Sequence, residues 1–250
     1  MEGQGALPEA VDYPVRDGEP MGETDQHRDE LKDYAVNVLL DHFGDEPTRV
    51  YVSGNNFVYY VQGDPKAVVS PDTYVVKGTD QLQRDTFKVW EEGGHKPCFV
   101  LEITSKSTRR ADLGAKMSRY RDDLEVPEYF LFDPRGDWIP ERLRGFVLGE
   151  PGVYRPVPAT PAGRLTSGEL GLELAVESGH LRFYLPGSAE PLPTRSERAE
   201  RERQRAERER QRAERERQRA ERERQRALEA EQDAARLRAE LDRLREEDRR

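Results

Sequence analysis

KPCFVLEITSKSTRRADLGAKMSRYRDDLEVPEYFLFDP, residues 96–134, holds two apolar runs separated by a polar segment of helical length. The run Phe99–Ile103 predicts a buried central strand, and Glu128–Phe132 predicts a second one. Pro127 ends the helix between them because proline cannot continue a helix. Two strands joined by a helix pair in parallel through a crossover, so the stretch predicts one βαβ unit.

The connecting helix carries one apolar stripe. Leu113, Met117, Tyr120 and Leu124 follow one another at spacings of 4, 3 and 4 residues. This spacing predicts about three helical turns with one buried face. Lys116 lies three residues after the first member of the stripe and four before the third. We therefore expect Lys116 at the edge of the buried face, leaning toward the sheet.

Two carboxylates fall inside apolar strands. Glu102 interrupts the run Phe99–Ile103, and Asp72 interrupts the strand predicted over Val68–Val76. A buried carboxylate is costly unless a cation or a metal opposes it. Two carboxylates at a strand end suit Mg²⁺ or another divalent cation, and the ammonium of Lys116 suits charge developing on a phosphate. For Asp72 the alternative is an ordinary turn residue at a strand end.

The segment that follows Glu102 is locally basic. Between residues 106 and 121 one acid, Asp112, stands against six basic side chains: Lys106, Arg109, Arg110, Lys116, Arg119 and Arg121. Beside a metal site this concentration predicts contacts to a phosphate backbone, with Arg109, Arg110 and Arg119 as candidates. The alternative is an ordinary solvated helix face.

Elements on either side complete an α/β pattern. Upstream, apolar spacing predicts a helix that ends near Phe43 and is capped by Thr24 or Asp25. Val50–Ser53 and Phe57–Val61 are predicted to form a hairpin through a Gly-Asn-Asn turn. Downstream, short alternating runs predict an antiparallel extension: Arg142–Leu148, Gly152–Pro156, Leu170–Ala175 and Leu181–Tyr184.

Composition divides the chain near residue 194. The whole chain has 41 Lys and Arg against 50 Asp and Glu, and 20 Arg with 17 acids lie from residue 195 onward. That tail contains no Gly, Pro or aromatic residue, whereas the preceding head is acidic by 12 charges. We predict a loose arm at 1–20, a core domain at 21–186, a linker at 187–194 and a charged helix at 195–250.

The tail is built on a seven-residue repeat. Ala199–Arg226 holds four copies of AERERQR, and an a/d heptad seam follows: Ala227, Ala230, Ala234, Leu237, Leu241 and Leu244. The pattern predicts one coiled-coil-like helix that forms a weak parallel homodimer through its last third. In the repeats Glu occupies the d positions, so local pairs such as Glu197 with Arg201 are expected to support the helix.

Other chemistries have little support. Cys98, the single cysteine, falls in a predicted strand, so a buried apolar role is expected rather than a nucleophile. His42, His95 and His180 lack zinc-ligand spacing, and neither a phosphate-binding loop nor a G-x-S-x-G motif occurs. The start of the chain has no basic, apolar leader, and no run reaches membrane-spanning length. A cytoplasmic protein with no membrane part is expected.

Five segments together carry a family resemblance: SPD at Ser70–Asp72, FKVWEEGGHKPCFVLE at Phe87–Glu102, EITSKSTRRADLGAKMSRYRDDLEVPEYFLFDP at Glu102–Pro134, LGLEL at Leu170–Leu174 and HLRFY at His180–Tyr184. The chain resembles the bacterial putative restriction endonuclease family of the PD-(D/E)XK nuclease superfamily. This resemblance implies a restriction-endonuclease-like mixed sheet with flanking helices over residues 21–186. It also implies metal-dependent phosphodiester cleavage.

The resemblance assigns the site position by position. Asp72 takes the place of the superfamily's PD acid, and Glu102 takes that of the second acid. The lysine is expected two residues after the second acid, where this chain has Thr104. In the family the lysine has moved to the helix, where Lys116 stands, and Lys106 is the alternative.

Accessory roles follow from the same resemblance. His27 matches a position where family members often carry histidine, and a capping or surface role is its alternative. Further candidates are two accessory acids and two supporting side chains: Glu23, Glu30, Ser105 and Tyr120. The implied protein is a Mg²⁺-dependent DNA endonuclease. Its rivals are a catalytically silent nuclease-fold binding or assembly protein, and a nuclease of RNA or of DNA structures.

Overall fold

The computed structural model describes residues 11–14, 26–44, 49–105, 108–150 and 152–247, without the side chains of residues 26–33 and 240–247. The chain divides into two compact units between Thr194 and Arg195. No helix in these ranges is both long enough and apolar enough to cross a membrane.

The first unit contains three α-helices, a π-helical turn and twelve strands within the described ranges. The helices are α1 (Gln26–Phe43), α2 (Arg109–Asp112) and α3 (Ala115–Ser118). The strands are β1 (Val50–Ser53), β2 (Phe57–Tyr59), β3 (Val68–Val69), β4 (Thr73–Lys77), β5 (Thr86–Lys88), β6 (Phe99–Ile103), β7 (Glu128–Phe132), β8 (Leu143–Gly149), β9 (Val153–Pro156), β10 (Leu165–Ser167), β11 (Leu172–Glu177) and β12 (His180–Tyr184).

A six-stranded mixed sheet forms the centre of this unit, in the order β1-β4-β6-β7-β8-β9. Strands β6 and β7 are parallel, with Phe99 opposite Glu128 and Ile103 opposite Phe132. All other neighbours in the sheet are antiparallel. The predicted crossover and the mixed α/β architecture are therefore confirmed, as is the antiparallel extension through β8 to β12.

The two faces of the central sheet bury separate apolar clusters. On one face, Phe99 and Leu101 pack with Leu39 of α1 and with Phe183 of β12. On the other face lie Tyr74, Val76, Val100, Tyr120, Leu124, Tyr129 and Leu131. Side chains alternate along a strand, so Glu102 projects to the same side as Val100. Glu102 therefore enters the second cluster, beneath the connecting helical segment.

The predicted hairpin of β1 and β2 is wrong, because the two strands join different sheets. Strand β1 pairs with β4, and β2 pairs with β3 and β5 in a separate three-stranded sheet. The connection is held elsewhere: Asn55 donates its N–H to the Pro71 carbonyl at 3.0 Å. Gly54 packs so closely on Asp72 that a Cβ would lie 2.1 Å from the Asp72 carbonyl oxygen. The strand predicted over Val68–Val76 is likewise split, into β3 and β4.

The predicted three-turn helix is also broken. It consists of α2, α3 and a π-helical turn, Arg119–Asp123. Gly114 interrupts the helix at φ −130 and ψ −101, and the π turn adds a residue to its last turn. The spacing of 4, 3 and 4 therefore no longer marks one face. Leu113, expected to be buried, is 40% exposed, while Tyr120 and Leu124 are buried as predicted.

The second unit is the helix α4 (Arg195–Glu247), 53 residues long and about 80 Å at 1.5 Å per residue. The predicted single helix is confirmed. Its side chains from residue 201 to 239 are all exposed. Ion pairs four residues apart run along it, including Arg205 with Glu209 and Arg212 with Glu216, both at 3.1 Å. Such pairs each add a few tenths of a kcal/mol, roughly 0.3, to helix stability.

Candidate active site

Two carboxylates meet at the edge where β4 begins and β6 ends. Thr73 lies opposite Leu101 in this antiparallel pair, so the next positions in register are Asp72 and Glu102. Opposite residues project from the same face of a sheet. Both side chains are buried, and the Ile103 N–H donates to Asp72 Oδ2 at 2.7 Å. The strand pairing itself thus fixes the two predicted acids beside each other.

Lys116 reaches this edge from α3. Its Nζ lies 3.0 Å from Glu102 Oε2 and 3.5 Å from the Ser70 carbonyl oxygen. The Tyr120 hydroxyl donates to the other oxygen of Glu102, Oε1, at 2.7 Å. The lysine side chain remains partly open to solvent, whereas Glu102 is fully buried. The structure therefore brings Asp72, Glu102 and Lys116 together, with Tyr120 orienting Glu102.

A third acid, Asp112, lies in the same cluster. It is 0% exposed, and its Oδ1 is 3.5 Å from Lys116 Nζ. The sequence reasoning counted Asp112 only as the one acid in a basic segment. Its position four residues before Lys116, where helical side chains meet, was the available signal. Asp112 ends α2 just before the break at Gly114, and it is buried whereas the neighbouring Leu113 is 40% exposed.

Charge is unevenly balanced in this cluster. Burial raises the pKa of Glu102 from 4.5 to about 8; Lys116 opposes the rise, while Asp72 and Asp112 add to it. Burial lowers the pKa of Lys116, but Glu102, Asp112 and Asp72 together outweigh burial and raise it. One ammonium does not balance three carboxylates in a buried place. In the metal-free cluster, burial and the neighbouring acids therefore favour the protonated form of Glu102, while the carboxylates favour the charged form of Lys116.

The residues present fit a divalent cation. Asp72 and Glu102 offer two oxygen ligands of the kind that Mg²⁺ prefers, and Mg²⁺ usually keeps several waters. Thr104, two residues after Glu102 and on the same face, buries a hydroxyl for which the described residues provide no hydrogen-bond partner. Within the described ranges of the chain, no group of three or more His, Cys, Asp or Glu side chains is placed to hold a metal ion together. Two carboxylates with water ligands are therefore the set to test.

Residues 6–186 match the family model Uma2, described as "Putative restriction endonuclease". The chain belongs to the Uma2 family. A similar solved structure is that of a putative nuclease belonging to DUF820 from Anabaena variabilis ATCC 29413, at 1.96 Å. The two chains are 13% identical, and the match covers 60% of this chain and 76% of the other, with a TM-score of 0.41. No curated protein matches the chain.

The arginines predicted to contact DNA differ in their surroundings in this Uma2 member. The Arg109 guanidinium stacks 3.7 Å from the centroid of the Trp138 ring. Arg119 Nη1 donates to the Val68 carbonyl at 3.2 Å, and Arg110 is exposed on α2. The Ser105 hydroxyl lies 3.1 Å from that of Thr108, so it closes the turn after β6. These four residues flank the acids rather than contact them in the bonds described.

Several predicted accessory residues lie outside the described part of the chain. Glu23 and Lys106 are not described, and His27 and Glu30 lie in α1 without described side chains. Their roles stay predictions.

For Cys98, burial raises the pKa of the thiol to about 12, so a reactive thiolate at neutral pH is disfavoured.

Glu102→Gln is expected to flatten the pH dependence of stability in the metal-free protein. The pKa of Glu102 is higher in the folded than in the unfolded protein. The stabilisation linked to its bound proton is therefore complete below about pH 4.5 and is lost by about pH 8. Relative to the variant, the wild type should lose roughly 2 kcal/mol or more of unfolding free energy across that window. Urea unfolding in EDTA measures this difference. Parallel pH curves for the two proteins would contradict the charge balance given above.

Proposed function

We propose that this protein is an endonuclease that hydrolyses DNA phosphodiester bonds with Mg²⁺ or another divalent cation. The observation that carries the proposal is the arrangement of Asp72, Glu102 and Lys116 at one edge of the sheet. Two buried carboxylates face the same way there, and an ammonium lies 3.0 Å from one of them. Membership of a putative restriction endonuclease family supports the same conclusion.

Asp72 and Glu102 would hold the metal, which when bound lowers the pKa of a water and polarises a phosphoryl oxygen. The chain's own groups prepare this place. The Ile103 N–H fixes Asp72, and the Tyr120 hydroxyl fixes Glu102. Lys116, partly open to solvent, would donate to a phosphoryl oxygen as negative charge develops on it. Because these groups are held before substrate arrives, they need little reorganisation during the reaction.

The basic side chains around the site would bind the substrate backbone. Arg109, Arg110 and Arg119 stand on the helical segment that also carries Lys116. The head as a whole is acidic, so this local cluster would direct the phosphates to the site rather than to the remaining surface. Contacts of this kind carry no base sequence information.

A cleavage assay tests the proposed function. The full chain is incubated with plasmid, linear duplex and single-stranded DNA, and with RNA, in Mg²⁺ and in EDTA. Mg²⁺-dependent nicking or linearisation of duplex DNA is expected, with none in EDTA. DNA retention without cleavage under every condition would instead favour a nuclease-fold binding or assembly protein. Cleavage of RNA alone would change the substrate class.

We also propose that the tail forms a weak parallel homodimer, which would bring two heads to one duplex for cleavage of both strands. The heptad phase places Leu237, Leu241 and Leu244 on one seam. Leu237 is 64% exposed in the single chain, so a partner helix would remove apolar surface from water there. In the preceding repeats the d positions are Glu, so pairing would be confined to the last third.

Leu237→Glu is therefore expected to weaken dimerisation of the full chain by tenfold or more, about the effect of losing 1.4 kcal/mol. Leu228→Glu is the matched control, because Leu228 is 57% exposed but lies off the seam. Light scattering over a concentration series measures both variants and a head of residues 1–193. A head that dimerises as strongly as the full chain would show that another surface is responsible.

A further inference from the structure

Burying the carboxylate of Asp112 costs free energy, and the contacts of its own helix do not explain why it is buried. A fully buried carboxylate loses its hydration, and the loss must be offset by charge or hydrogen bonds. Asp112 is the last residue of α2, and the break in the helix follows two residues later at Gly114. A Cβ at Gly114 would lie 2.7 Å from the Arg110 carbonyl oxygen. An unbroken helix would instead continue the apolar stripe with Leu113.

The backbone of Asp112 is held on two sides. The Tyr129 hydroxyl donates to its carbonyl at 2.8 Å, and its own N–H donates to the Thr108 carbonyl at 2.9 Å. Its side chain points toward Lys116, with 3.5 Å between Oδ1 and Nζ. The backbone at Asp112 is thus fixed by neighbours that do not depend on the lysine, and from there its carboxylate reaches Nζ.

Glu102 has two roles that compete for the same oxygens. In this structure Oε2 pairs with Lys116, and Oε1 accepts from Tyr120. In the proposed reaction the same carboxylate is a metal ligand. A lysine whose main counter-charge is committed to a cation would be repelled by that cation and would turn into solvent. A second carboxylate beside Nζ removes this difficulty.

We infer that Asp112 is the positioning residue for Lys116: it keeps the ammonium aimed into the site when Glu102 is committed to the metal. This inference rests on the proposed function. Asp112 touches neither substrate nor reacting atoms and acts through the lysine. The arrangement explains why the chain buries a third acid where two would serve a single cation.

Kinetic coupling provides the first test. Asp112→Asn is expected to lower single-turnover cleavage of duplex DNA by about 10- to 100-fold, the scale of losing a group that orients a catalytic partner. DNA affinity and Mg²⁺ affinity should change little. In a Lys116→Ala background, Asp112→Asn should have almost no further effect, because its target is absent. Asp122→Asn, an exposed acid on the same segment, is the control.

Three outcomes overturn the inference. In the first, Asp112→Asn has no effect on cleavage. In the second, it lowers the rate of Lys116→Ala by the same factor as in wild type, and in the third it weakens Mg²⁺ binding as much as Asp72→Asn does. The second outcome indicates a structural role, and the third makes Asp112 a metal ligand.

Lysine acylation provides a readout that needs neither metal nor activity. In Glu102→Gln protein, which lacks the competing carboxylate charge, Lys116 should stay protected from a water-soluble acetylating reagent. Adding Asp112→Asn should raise its labelling about fivefold or more relative to Lys77, a surface lysine paired with Glu169 at 2.8 Å. Equal Lys116 labelling in the two proteins overturns the inference. If the wild type cleaves no nucleic acid but this difference appears, the proposed function fails while the contact stands.

Discussion

Asp72→Ala and Glu102→Ala are each expected to reduce DNA cleavage by on the order of a thousandfold or more while the head stays folded. Each change removes a proposed metal ligand. Each also removes a buried carboxylate from a cluster in which three acids face one lysine, so the metal-free protein should be no less stable. Single-turnover cleavage, Mg²⁺ calorimetry and thermal unfolding measure the three effects.

Asp80→Ala is the control for these variants, because Asp80 is an exposed carboxylate paired with Arg49 at 2.6 Å. It should retain both cleavage and Mg²⁺ affinity. If Asp72→Ala and Glu102→Ala lose Mg²⁺ binding yet cleave DNA as fast as wild type, the reaction takes place elsewhere on the protein.

Lys116→Ala is expected to lose about a hundredfold or more in turnover, the scale seen when one preorganised electrostatic donor is removed. The ammonium lies 3.0 Å from Glu102, so its loss removes positive charge from the centre of the site. DNA affinity should change much less than the rate, because the effect arises in the transition state.

Lys106→Ala separates the two candidate lysines. If Lys106 contacts only the phosphate backbone, its replacement by alanine should raise the DNA Kd and lower the salt slope by about one. The cleavage rate of bound substrate should change little. Single-turnover rates at saturating protein, together with affinities over a salt series, distinguish the two variants. A larger loss of rate for Lys106→Ala than for Lys116→Ala would reverse the assignment.

Local signals predicted the frame of the site. Pro127 and the apolar runs on either side of the helix are enough to specify the β6–β7 crossover, because both signals lie within one short stretch. The repeat from Ala199 to Arg226 similarly specifies α4. Asp72 and Glu102 stood out as acids in apolar strands, and the fold buries both.

Contacts between distant parts of the chain decided the rest. The Gly-Asn-Asn turn after β1 has hairpin composition, but its hydrogen bond from Asn55 to Pro71 directs β2 into another sheet. Helical spacing assigned Leu113 to the core, because periodicity assumes an unbroken helix. Leu113 lies outside the core and Asp112 is buried instead, and Gly114, an isolated glycine in a helical pattern, was the one local warning.

Anomalous diffraction from crystals soaked in Mn²⁺ tests the central claim most directly. Mn²⁺ accepts the same oxygen ligands as Mg²⁺ and is visible by its anomalous signal. We predict one strong peak in contact with the carboxylates of both Asp72 and Glu102, with Lys116 Nζ still beside Asp112. A protein that cleaves DNA in Mn²⁺ but places the ion away from these two carboxylates would contradict the site assigned here.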